Sequence, residues 1–133
     1  MGGNGVRVGE LGEEIALCVL RHLYPQCVFR HVGRTRKRVG DVICENEECQ
    51  GEWEVKTSTC GIERATTRLR HPRYKKVRHI AVALEDTGIV VVIDTPGGEL
   101  ERIDEVTLWI DGVQYPALIC YSPCPNYQKT SAL

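Results

Sequence analysis

The residues of this 133-residue chain best suited to chemistry are Glu54-Val55-Lys56, preceded at Asp41 by a second carboxylate. A β-strand sends alternate side chains to opposite faces, so Glu54 and Lys56 project together while Trp53, Val55 and Thr57 project the other way. The segment Asn46-Glu47-Glu48-Cys49-Gln50-Gly51 is polar and ends in glycine, as a hairpin loop does. It predicts that Val39 to Cys44 and Glu52 to Thr57 pair as antiparallel strands, with Asp41 facing Glu54. Two carboxylates and a lysine on one patch suit a hard divalent cation. Magnesium takes one or two carboxylates together with water and substrate phosphate, and it stabilises charge developing on a phosphodiester. A neighbouring lysine would hold or help deprotonate the attacking water. The plainer alternative is a solvated strand face on which Glu52, Glu54 and Lys56 merely alternate with buried Trp53 and Val55.

Other elements must position these residues. Gly9 to Tyr24 reads as a helix ending before Pro25, with Leu11, Ile15, Cys18, Val19 and Leu23 on one apolar stripe that Ala16, Leu17 and Leu20 widen. Glu10, Glu13 and Glu14 fall in its first turns, where the helix dipole favours acids. Glu13 nonetheless sits on an apolar flank and needs a partner, either a metal or a lysine across the sheet. Gln26 to Val32 predicts a first strand, and Glu63 to Tyr74 a second helix limited by Pro72. Ile80 to Leu84 and Ile89 to Ile93 are apolar on both faces, as adjacent central strands would be. Val106 to Ile110 and Val113 to Tyr115, joined at Asp111-Gly112, predict a small terminal hairpin, followed by a loose tail after Pro125.

Length predicts one domain over residues 1–133, with a core of about 5–95 and a C-terminal β extension of about 96–133. No apolar stretch approaches the roughly 20 residues that span a bilayer, and the start lacks a secretory h-region, so a cytoplasmic protein without membrane contact is expected. The net charge of −1 conceals an asymmetry, because all but two of the seventeen Lys and Arg precede Ile80. One basic run, including Arg34, Arg36, Lys37 and Arg38, lies before Asp41; another, including Arg68, Arg70 and Arg73, follows Lys56. Two basic runs bracketing a carboxylate cluster fit a phosphate-tracking surface.

Seven cysteines leave three outcomes open for Cys44, Cys49, Cys120 and Cys124: local disulfides, one four-cysteine zinc site, or unpaired buried thiols. Neither spacing has the CxxC form of common zinc sites, and cross-strand neighbours at a loop base favour a Cys44–Cys49 disulfide over zinc. Cys18 reads as a core residue.

The order helix, three strands, helix, two strands, with Glu13 after Gly9, Gly12 and before Ala16, Asp41 after Gly40, and Glu54 and Lys56 as the triplet, resembles the PD-(D/E)XK nuclease superfamily. Within it, the pattern is similar to the archaeal Holliday-junction resolvases and to small bacterial predicted endonucleases. The resemblance covers about residues 5–95 and implies a restriction-endonuclease-like α/β fold, a mixed central sheet flanked by helices in an αβββαββ core. It further implies Glu13, Asp41, Glu54 and Lys56 as catalytic residues, with magnesium or manganese held by Asp41, Glu54, the Val55 carbonyl and Glu13. Arg34, Arg36, Lys37, Arg38, Arg68, Arg70 and Arg73 would contact DNA, duplex or branched, and a homodimer is expected by analogy. The activity expected is endonucleolytic hydrolysis of DNA phosphodiester bonds. The competing expectation is a non-catalytic nucleic-acid-binding or interaction module on the same fold, stabilised by zinc through its cysteines.

Overall fold

The computed structural model describes residues 2–32, 42–44, 51–94 and 102–121. They form an α/β fold of two α-helices and a seven-stranded mixed sheet that curls strongly into a half-barrel. In chain order the elements are α1 (Gly2–Leu23), β1 (Phe29–His31), β2 (Val42–Cys44), β3 (Gly51–Ser58), α2 (Ile62–Leu69), a 3-10 turn (Pro72–Tyr74), β4 (Arg78–Glu85), β5 (Gly88–Asp94), β6 (Arg102–Ile110) and β7 (Val113–Tyr121). The sheet order is β1-β2-β3-β4-β5-β7-β6.

The apolar stripe of α1 forms the inside of the half-barrel. Ile15, Ala16, Val19 and Leu20 are fully buried against Trp53, Ile80, Val82, Ile93 and Ile119, and α1 reaches strands as far apart as β1 and β6. Burying each such aliphatic side chain contributes about 1.5–3 kcal/mol, so this face carries most of the fold's apolar stabilisation. The helix starts seven residues earlier than its apolar pattern predicts, since Gly2 to Val8 is helical without showing any apolar period. As a result the first turn holds no acid, and Glu10, Glu13 and Glu14 lie mid-helix, too far from its end for the dipole to account for them.

On the other side of the sheet lies α2. Its buried Ala65 and Leu69, one turn apart, pack on Ala81 of β4, with Ile62 and Val92 completing a second, smaller core. The expected central strands are present, and β4 and β5 pair antiparallel from His79↔Asp94 to Glu85↔Gly88. The C-terminal hairpin is larger than predicted. β6 and β7 have nine residues each, and β7 inserts beside β5 in parallel, contributing Ala117, Ile119 and Tyr121 to the α1 core. The turn itself is as the sequence suggests, with Asp111 and Gly112 at φ 50° and 78°, the positive values an Asp-Gly hairpin turn requires.

Candidate active site

β3 is the third strand and sits between β2, antiparallel to it, and β4, parallel to it. Its register with β2 pairs Val42 with Trp53. Asp41 lies outside the described residues, one peptide bond from Val42. Arg34, Arg36, Lys37, Arg38, Cys49 and Cys124 lie outside them as well.

Strand alternation assigns the two faces of β3. Trp53, Val55 and Thr57 enter the α1 core, whereas Glu54 and Lys56 share the α2 face with His79 and Ala81, their partners on β4. Glu54 is completely buried, and its Oε1 lies 3.5 Å from Lys56 Nζ, whose side chain is only 11% exposed. A carboxylate withdrawn from water this far is costly unless a cation or hydrogen bonds compensate it, and Lys56 supplies one compensating charge. The ammonium also stands 4.9 Å from the ring centroid of buried Tyr74, which the Arg73 guanidinium approaches at 5.5 Å. Both are within the range at which a cation is drawn to an aromatic face.

Tyr74 takes this position because Pro72 ends the helical segment and opens a 3-10 turn. The turn is capped by His71, whose Nδ1 accepts a hydrogen bond from the Arg73 N–H at 3.2 Å. The Tyr74 carbonyl accepts from His79 Nε2 at 2.8 Å, so His79 is half-buried and anchored rather than free to meet a phosphate. Arg68 reaches back to the Thr57 carbonyl at 3.5 Å. The outcome is an open cleft of about 500 Å³ lined by Lys56, Arg68, Arg70, His71, Arg73 and Tyr74. Three of the basic residues singled out by sequence therefore meet the lysine of the triplet. Arg78, in the same basic run, stacks at 5.0 Å on Trp53 and serves the opposite face.

Glu13 is placed apart from this cluster. Its Oε2 lies 2.7 Å from Nε2 of His31 on β1, and the chain of register pairs His31↔Val42↔Trp53 sets that histidine on the α1 face, opposite Glu54. One partner is thus a histidine, which the sequence did not suggest because only the tertiary fold brings β1 to α1. The neighbouring Gly12 has a clear packing role. A Cβ there would collide with Thr57 Oγ1 and lie 2.8 Å from Thr57 Cβ, so the glycine lets α1 rest directly on β3.

The cysteines divide. Cys27 and Cys44 are both disulfide-bonded, whereas Cys18, Cys60 and Cys120 carry free thiols. Cys44 is thus held in a disulfide, while Cys49 and Cys124 lie outside the described residues. Burial pushes the Cys18 thiol above its ordinary range, against an opposing pull from Arg21 and with a small push from Glu14, as befits a core residue. Among the described residues no three His, Cys, Asp or Glu side chains are grouped to hold a metal ion, and no helix is long and apolar enough to cross a membrane. Comparison with known protein families, characterised proteins and solved structures finds no match.

Proposed function

We propose that this chain is a magnesium-dependent endonuclease that hydrolyses DNA phosphodiester bonds, structure-specifically in the manner of a junction resolvase, on a restriction-endonuclease-like fold. The observation carrying this reading is the buried Glu54–Lys56 pair opening onto a cleft lined by Arg68, Arg70, His71 and Arg73. The element order and the place of the triplet on the third strand agree with it.

Asp41 and Glu54, with the Val55 carbonyl, offer hard oxygen donors that suit magnesium or manganese. A buried carboxylate such as Glu54 also has reason to attract a further cation. Such an ion, when bound, supplies Lewis-acid stabilisation of the phosphoryl oxygens and a more acidic bound water. Lys56, held between Glu54 and the Tyr74 ring, orients the attacking water and donates hydrogen bonds where negative charge builds. Arg68, Arg70 and Arg73 hold neighbouring phosphates and read no sequence. Glu13, on the other face with His31, is the outlying member of the set.

The test is cleavage of linear duplex, single strand, flap and four-way junction with magnesium or manganese, comparing wild type with Asp41→Ala and Lys56→Ala. Cutting by wild type that both substitutions abolish supports the proposal. Equal cutting by all three places the chemistry elsewhere. Salt-sensitive DNA binding with no cutting by any variant favours the non-catalytic module, in which Lys56 simply neutralises Glu54.

A further inference from the structure

Among the described residues β6 is an edge strand, and it lacks most of the features that normally keep an edge from pairing. Its nine residues, Arg102-Ile103-Asp104-Glu105-Val106-Thr107-Leu108-Trp109-Ile110, contain no proline and no lysine, and among the described residues β7 is its only strand partner. The opposite edge, β1, has only three residues. Natural edges are blunted by shortness, proline, lysine or inward-facing charge. The inward acid of β6, Asp104, is already engaged by the Tyr121 hydroxyl at 3.1 Å within the same molecule. On the outer face, two large apolar side chains stand in solvent at either end of the strand, Ile103 at 67% and Trp109 at 62% exposure.

We infer that β6 pairs antiparallel with β6 of a second copy of this chain, about a two-fold axis at Val106. The spacing of the strand's own residues selects that register. Centring on Val106 sets Ile103 against Trp109 of the other copy, twice by symmetry, and Glu105 against Thr107. Centring one residue earlier sets Glu105 against Glu105, and two residues earlier Asp104 against Asp104; opposed like charges disfavour both. Centring one residue later sets Trp109 against Glu105 and leaves both apolar ends unmatched. Paired residues must also share a face, and in the Val106 register they do: the outward Ile103 meets the outward Trp109, and the inward Asp104 meets the inward Leu108. The assembly is isologous and closed, and among the described residues there is no further edge of this kind to propagate it. β3 lies four strands inward from β6, so the cleft beside Lys56 stays open and the dimer stands or falls independently of the nuclease reading.

Sedimentation equilibrium of the full chain across the micromolar range tests this. Wild type is expected to be dimeric, and Trp109→Lys to weaken the dimer by about tenfold or more, since it removes two symmetry-related cross-strand pairs. At a concentration low enough for both proteins to be monomeric its melting temperature should match wild type, because Trp109 is exposed in the single chain. Adding Ile103→Glu to Trp109→Lys in one chain should restore dimerisation, as the register opposes the new charges. Under mild oxidation Val106→Cys should cross-link to a covalent dimer well beyond wild type, and Glu105→Cys should not. A monomeric wild type, whether its edge is bare or covered by another part of the same chain, overturns the inference. So does a dimer that Trp109→Lys leaves as tight as before, or one in which both cysteine variants cross-link equally.

Discussion

The two faces of β3 show how one strand can serve opposite ends. Toward α1 it presents Trp53, Val55 and Thr57 to the main core, where shape decides: Trp53 is fully buried, and Gly12 is required because nothing larger fits over Thr57. Toward α2 it presents Glu54 and Lys56, equally shielded by the fold but charged, and arranged so that each answers the other at 3.5 Å before the cleft opens to solvent. The difference teaches that burial alone does not mark a core position. On one face burial contributes apolar transfer energy; on the other it holds a carboxylate and an ammonium in one geometry, which stabilises little and organises much.

Substitutions can separate the faces. The largest effect on stability is expected from Trp53→Ala, which should cost about 3–5 kcal/mol in denaturant unfolding and remove any activity with the fold. Trp53→Phe should retain most of that stability, because the Trp53 N–H is buried without a hydrogen-bond partner among the described residues. Lys56→Arg should show the reverse pattern, lowering single-turnover cleavage by about 10²–10³-fold while a cation stays beside buried Glu54 and the melting temperature stays near wild type. If Lys56→Arg unfolds the protein as Trp53→Ala does, the two faces are not functionally distinct. Gly12→Ala should cost about 1–3 kcal/mol by lifting α1 from β3. Thr57→Ala should recover only part of this loss, because its Cβ, 2.8 Å from the new methyl, remains. Glu13→Gln, on the α1 face with His31, should reduce cleavage less than Asp41→Ala does; equal losses would bring Glu13 into the reacting cluster.

The smallest effect is in alkaline pH. Burial raises the Cys18 thiol above its unfolded value of 9.0, so the folded chain keeps that proton longer than the unfolded one. The associated stability is complete below pH 9.0 and declines as pH rises through the folded value. Cys18→Ala should flatten that decline in urea titrations at increasing pH.

Much of this was legible in the chain because it depends on local periodicity. Alternation alone put Glu54 and Lys56 on one face. The apolar runs foretold β4 and β5, and Asp111-Gly112 foretold the final turn. The N-terminal turns of α1 gave no such signal, since glycines and scattered polar residues show no period.

What the sequence determined, then, is which residues share a face, because the geometry of a strand or helix is set by covalent structure and neighbouring backbone bonds. What only the tertiary structure decided is which faces meet. Glu13 meets His31, Arg78 stacks on Trp53 instead of lining the cleft, and β7 inserts between β5 and β6. These pairings join residues far apart in the chain. They follow from how the curled sheet closes on α1, and no periodicity along the sequence records that packing.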